Sequence, residues 1–384
     1  MPRTKTVLIA FLAHALAGGG IFARIPDIQA GLALDEATLG LALTVAATGG
    51  LAANLFAGRV IGLAGTRPIL LVGIPAMATL TAAAALAPSV PLLFIALFAN
   101  GIAFALANVA MNVEADRVEA ATGRKVMNRC HGVWSAGMLT TSLVGVGARA
   151  VPVSAALHLS LMVPVALAVA AIWLYPMSAA PRAPDDKSDR RGFALPSGRT
   201  LTVVLFGLSG GIAQSATQNW SVIFMRDSFA APDWVDTLTL PAFLVAMTLG
   251  RIFADGWTMR FGPVRVVVIL TLLAIAGALM VALSPTPPIA LLGFAALGTG
   301  TAALFPLMVT AAARSPNRPA AEAVSAAIMT TSAMMMAAPA LMGWVAELWG
   351  VRAAFWTLML PLLVTLSLCH VAGPRRASPA PEPA

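Results

Sequence analysis

Largely apolar runs with few charges recur twelve times along the chain, near 6–30, 37–57, 69–87, 91–113, 131–148, 153–175, 201–225, 235–254, 264–283, 288–313, 321–345 and 353–371. A helix needs about 20 apolar residues to cross the hydrocarbon of a bilayer, so each run is long enough for one crossing. Strand-like alternation of polar and apolar residues is absent from the sequence, which excludes a membrane barrel. The pattern predicts an all-α membrane protein of twelve transmembrane helices.

A repeat divides those helices into two sets of six. Gly58-Arg59 closes one apolar run, and Gly250-Arg251 closes another half a chain length later. A short polar turn ending in Gly and Arg follows each pair: Gly65-Thr66-Arg67 in the first copy and Gly262-Pro263-Val264-Arg265 in the second. Parallel repeats of this kind occur in transporters that bind solute between their halves near the bilayer midplane. The expected organisation is a six-helix bundle over 1–175, a linker over 176–200, a second six-helix bundle over 201–372 and a disordered tail over 373–384. Proline and mixed charge around Pro181-Arg182-Ala183-Pro184-Asp185-Asp186 favour a flexible linker there.

Composition agrees with the bilayer as solvent, at 59% hydrophobic and 10% charged residues with mean hydropathy +0.86. With the N-terminus inside, 20 of the 24 Lys and Arg residues fall in inner connections and ends, and Arg24, Arg149, Arg226 and Arg352 fall outside. The positive-inside rule then places both termini in the cytoplasm, with the chain multi-pass in the cytoplasmic (inner) membrane. The net charge of +8 is this topological bias, so no nucleic-acid partner is expected. Arg3-Thr4-Lys5 and Ala15-Leu16-Ala17 resemble a secretory signal. The apolar run continues through Ile25, which favours an uncleaved first helix.

Enzyme signatures fail on context. Gly207-Leu208-Ser209-Gly210-Gly211 fits a nucleophile elbow by letter, but no strand precedes it. His14, His131, His158 and His370 have no spacing suited to zinc, and Cys130 and Cys369 read as small packing residues. Neither a catalytic residue, a metal nor a cofactor is expected, and the chain reads as a monomer in the bilayer.

Polar residues inside spans are costly, and so mark sites or interhelical contacts. Asn108 and Asn112 stand one turn apart on the fourth span, and Gln214 and Gln218 repeat that spacing on the seventh, beside Asn219 and Trp220. Two amide pairs, one per half, suit a neutral hydrogen-bonding pocket or interhelical contact. Arg24 is a substrate-facing cation or a snorkelling anchor. Glu114, Glu119 and His131 are the titratable groups available for proton movement, and protons stay open as a partner. Gly18-Gly19-Gly20, Gly210-Gly211 and Gly298-Thr299-Gly300 mark helices suited to close packing or to local unwinding at a cavity.

The twelve-span layout and the paired turns resemble the major facilitator superfamily over nearly the whole chain. That family's turn runs Gly, Asp, then Gly and basic residues. The second copy keeps it as Gly250-Arg251, Asp255, Arg260, Gly262 and Arg265, whereas Gly62 stands where the first copy should carry its acid. The resemblance implies the major facilitator fold, alternating access, a small-molecule solute, and a cytoplasmic latch of Arg59, Arg67, Arg251 and Asp255. Arg24-Ile25-Pro26, Val109-Ala110-Met111-Asn112 and His131-Gly132-Val133-Trp134-Ser135 are similar to the fucose-permease-like branch. That branch implies a small polar, sugar-like solute. It expects an acid where Asn108 stands, and acids are common at the positions of Gln214 and Asn219. Amides there speak against proton coupling through these positions.

Overall fold

A computed structural model of the chain describes residues 3–180, 197–315 and 319–373. Most of the linker, at 181–196, and the tail from 374 lie outside the described residues, as does the side chain of Asp255. Twelve helices run through the rest: α1 Thr4–Gly31, α2 Glu36–Ala64, α3 Thr66–Ala85, α4 Val90–Thr122, α5 Met127–Ala150, α6 Ala155–Leu174, α7 Gly198–Ser228, α8 Asp233–Ala254, α9 Pro263–Leu283, α10 Pro287–Ala313, α11 Glu322–Trp349 and α12 Val351–Ser367. Ten are long and apolar enough to cross a membrane. The others are the shorter α12 and the more polar 24-residue α5. The expected all-α architecture holds, and α4 extends beyond its apolar run to Thr122.

Local chemistry sets the ends. Asp35, in the α1–α2 connection, accepts the Thr38 backbone N–H at 2.6 Å and caps α2. That bond holds its carboxyl below the ordinary carboxylate range. Ser154 and Ser197 cap α6 and α7 in the same way. The sequence repeat reappears in the backbone: Gly65 has φ 82° and ψ 164°, and Gly262 has φ 82° and ψ 151°. A side chain would be strained at such a φ, so both turns require glycine.

Hydrocarbon gives helices no hydrophobic reason to associate, so small residues and close contact hold them together. In the first half, Gly49 of α2 lies on the Phe98 carbonyl of α4, and Gly101 of α4 lies on Ala46 of α2. In the second half, Gly298 of α10 lies on Phe243 of α8, while Gly277 of α9 and Gly293 of α10 meet each other. Gly210 and Gly211 keep α7 helical, packed against Leu304 and Met335. Irregular turns fall elsewhere, among them a 3-10 turn at Gly20–Arg24 in α1, a π segment at Ala170–Leu174 in α6 and breaks at Leu238 in α8, Ala302–Ala303 in α10 and Ala337 in α11.

The halves meet along two matching pairs of helices, α2 with α11 and α5 with α8. A Cβ on Gly40 would lie 2.7 Å from the Pro339 carbonyl oxygen and 3.0 Å from Gly343 Cα. Across the other pair, Gly145 faces Thr237, whose Cγ2 would sit 3.8 Å from an added Cβ.

This packing predicts a contrast between two glycines. In Gly277→Ala the new Cβ would meet Gly293 O at 2.7 Å and Leu297 N at 2.6 Å. We expect a loss of roughly 1–3 kcal/mol, seen as a lower unfolding temperature in detergent. Gly147→Ala meets nothing within 4 Å on α5 and should be neutral or stabilising by up to about 1 kcal/mol. Equal effects at the two positions would contradict the close-contact account.

Candidate functional site

Both amide pairs sit near the middle of their helices, Asn108 and Asn112 somewhat toward the chain ends and Gln214 and Gln218 somewhat away from them. On α7, Gly211, Gln214, Ser215 and Gln218 fall on one stripe at about 100° per residue, and all four are partly open. Gln214 and Gln218 make no hydrogen bond to any described residue. Asn219, at the edge of the stripe, gives its Nδ2 to the Ser215 carbonyl at 2.9 Å, leaving its amide oxygen free. Trp220 lies about half a turn from Gln218 and is fully buried in the core. On α4, Asn112 Nδ2 donates to the Asn108 carbonyl at 2.8 Å, and both side chains are half-buried.

Beside the α4 amides lies a polar node that sequence spacing did not reveal. His14 of α1 is fully buried. It accepts from Trp134 Nε1 of α5 at Nδ1, 3.2 Å away, and its Nε2 lies 3.2 Å from the Phe104 carbonyl of α4. An indole N–H only donates and a carbonyl only accepts, so the imidazole is the neutral Nε2–H tautomer. Its ring also stands against Phe104, with centroids 4.4 Å apart. One histidine thereby fixes the aromatic side chains of two helices. The only sequence signal was an unexplained histidine in an apolar run.

Three residues expected near the pathway are held by partners within the protein. Glu114 is buried, accepting from Thr66 Oγ1 at 2.6 Å and from the Ala180 backbone N–H at 2.7 Å. It ties the α2–α3 turn and the start of the linker to α4, away from the amide stripe. Arg24 is also buried. It donates to His158 Nδ1 at 3.0 Å and to the carbonyls of Ala148 and Val153, and lies 3.6 Å from Asp27. These bonds tie Arg24 to the end of α5 and the start of α6. Glu119 accepts from the backbone N–H groups of Val126 and Met127, closing the α4–α5 connection.

Among the described residues, every hydrogen bond and ion pair joining the halves lies between mid-depth and the side opposite the chain ends. Arg149 of α5, held by Asp27 of its own half at 2.6 Å, reaches across to Asp233 of α8 at 3.4 Å. Arg226 of α7 donates to Gln29 at 3.0 Å. Glu347 of α11 accepts the Glu36 N–H at 3.0 Å, and Thr44 accepts that of Ala340 at 3.1 Å. This seam is closed.

On the side of the chain ends the halves stand apart. Arg59, His131 and Arg251 are exposed. His131 of α5 and Arg251 of α8 come within electrostatic reach of each other, yet among the described residues Arg251 donates only to the Ala302 carbonyl of its own half, at 3.4 Å. Arg67 donates to the Tyr175 carbonyl and lies over that ring, 5.4 Å from its centroid. The side chain of Asp255, the acid expected in this latch, lies outside the described residues. Among the described residues, then, no hydrogen bond or ion pair joins the halves on this side, and the bonds that do join them lie from mid-depth to the opposite side.

Two six-helix halves, a mid-depth polar stripe and a seam closed on one side define a membrane transporter. Residues 7–240 and 228–384 match the Major Facilitator Superfamily, and the chain belongs to that family. It is 28% identical over 354 residues to the uncharacterized transporter y4wD of Sinorhizobium fredii, covering 92% of this chain and 93% of that protein. Its fold is similar to that of a mutant of the nucleoside transporter NupG, with TM-score 0.78 and 14% identity over 97% of this chain and 99% of that one. A D-xylose-proton symporter matches with TM-score 0.74 and 12% identity over 96% of each chain. At these identities the solved structures speak to the fold alone.

The closed seam makes a testable demand on Arg149. Of its two ion pairs, only the one with the largely exposed Asp233 crosses the seam, and it is worth up to about 1 kcal/mol. Arg149→Gln should therefore shift the seam toward its open form by up to roughly fivefold. Spin labels at Leu86→Cys and Thr286→Cys, exposed positions in connections of the two halves on that side, would report a longer separation. An unchanged distance distribution would show that Arg149 does not hold the seam.

Proposed function

We propose that the chain is a secondary transporter carrying a small, neutral, polar solute across the cytoplasmic membrane by alternating access. The observation that carries this reading is the pair Gln214 and Gln218, two partly open amides at mid-depth with no protein partner among the described residues. Polar groups at that depth are costly unless they are hydrogen-bonded. A solute bearing hydroxyl or amide groups satisfies them, together with Asn108, Asn112 and the free oxygen of Asn219. The halves over 1–175 and 201–372 move as the two rocking units. Both termini are cytoplasmic, as the positive-inside count expects, so the open cleft faces inward. Arg59, Arg67, Arg251 and Asp255 latch the cytoplasmic side when the cleft turns outward.

The solute is ring-shaped and sugar-like or nucleoside-like. The short motifs of the fucose-permease-like branch support this, as do Phe104 and Trp134, which His14 fixes beside the amides. The amides cannot take up protons, and Glu114 is occupied by Thr66 and Ala180. Transport through this cleft is therefore facilitated or only weakly coupled to protons, and the direction of net flux follows the solute gradient. The second reading, a proton-coupled symporter, keeps His131 as the exposed titratable group at the cytoplasmic mouth.

Proteoliposome uptake of a panel of pentoses, hexoses and nucleosides separates the two readings. The proposal expects saturable equilibration of one class, with no accumulation under an imposed inward proton gradient. Gln218→Leu should raise the half-saturation concentration roughly three- to tenfold, the scale of one neutral hydrogen bond, without lowering thermal stability. Accumulation that follows the proton gradient and disappears in His131→Ala would establish the second reading instead.

A further inference from the structure

The closed seam holds one carboxylate too many. Its cluster comprises Arg24 and Asp27 of α1, Arg149 of α5, Arg226 and Asp227 of α7, and Asp233 and Asp236 in the first turn of α8. Three guanidinium groups face four carboxylates. Arg149 binds Asp27 and Asp233, Arg24 lies beside Asp27, and Arg226 is held by Asp227 at 2.6 Å. His158 adds no fourth cation, because its Nδ1 accepts from Arg24 and cannot carry a proton there. Asp236 is left over. It is 1% exposed, makes no hydrogen bond or ion pair through its side chain with any described residue, and its Oδ1 is buried without a partner. The charges within reach of it are Arg149 on α5, Arg226 and Asp227 on α7, and Asp233 on its own turn. Both cations already have closer carboxylates.

We propose that Asp236 is a proton-binding site linked to closure of the outer seam: the seam closes with a proton on Asp236 and opens as that proton leaves. A buried carboxylate with no partner is far less costly as the neutral acid than as the anion, and one proton balances the cluster. Opening separates α5 from α8, admits water to Asp236 and restores the ordinary solvation of its anion. Closure therefore takes up a proton from the outer solution. Acid outside favours the closed seam, alkali favours the open one, and one linked proton changes the ratio by at most about tenfold per pH unit. The nearest rival lies on the other flank, where Glu36 and Glu347 meet. Glu347 is exposed and keeps its water, so its contribution to the pH response is small.

The inference rests on alternating access, and its test separates the two. The spin-label pair Leu86→Cys and Thr286→Cys, placed in full-length Cys130→Ala, Cys369→Ala protein in nanodiscs, reports the seam between pH 5 and pH 8. We expect the open-to-closed ratio to rise at least tenfold over that range. Asp236→Asn should stay closed at every pH, and Glu347→Gln should keep the native response. Asp236→Ser carries the expectation of a flat profile if the Asn variant does not fold. A native ratio that ignores pH, a pH response retained in the Asp236 variants, or one abolished by Glu347→Gln overturns the proposal while leaving alternating access intact. If the seam never opens, even with Arg149→Gln, alternating access fails and the proposal fails with it.

Discussion

A polar group within the hydrocarbon needs a partner inside the protein, and the arrangement of this molecule follows from that demand. Backbone groups meet it by forming helices, which is why twelve helices account for nearly all of the described chain. Side chains meet it across helices. Glu114 is satisfied by Thr66 and Ala180, His14 by Trp134 and Phe104, and Arg24 by His158 and two carbonyls. Each of these bonds fixes a helix end or an aromatic side chain. Gln214 and Gln218 stand apart because the demand is unmet by protein, at the depth where the two halves enclose a cleft.

The same demand explains the asymmetry of the two faces. On the side away from the chain ends the halves meet through the Arg149–Asp233 pair and through glycines that bring α2 and α11 into backbone contact. On the side of the chain ends, Arg59, His131 and Arg251 are exposed, and Arg251 donates to the Ala302 carbonyl of its own half. Exchange between two such arrangements requires the polar groups of each face to find either protein or solvent in both states. Arginine is suited to this, because its charge persists in either setting and its donors bind carbonyls as readily as carboxylates.

Much of the fold was legible from periodicity and repetition. The spacing of apolar runs located the helices, and the recurrence of Gly-Arg before a Gly turn foretold two halves whose turns share a backbone conformation at Gly65 and Gly262. The amide pairs were legible too, since i and i+4 on a helix must share a face. Long-range pairing was not. Arg24 stood equally open to a substrate role or an anchor role until His158, from another helix, settled its neighbours. Glu114 was legible as an acid in a span, but not as the tether of Ala180. Trp220, one residue from Asn219, points to the opposite side of α7. Asp236 drew no notice, because it stands at the edge of the eighth apolar run, where an acid is expected to reach water; its burial appears only in the folded structure. Contacts that depend on how two halves meet leave no local trace in a sequence.

The central claim is a single polar cleft at mid-depth, reachable from one side of the membrane at a time and open inward in this state. Gln218→Cys, in protein lacking Cys130 and Cys369, tests it with a membrane-impermeant maleimide. In inside-out vesicles the cysteine should react at least tenfold faster than in right-side-out vesicles, and Arg149→Gln should narrow that difference by opening the outer seam. Equal reactivity from both sides without that variant would describe a pore, and faster reaction from outside would reverse the assignment of the open face.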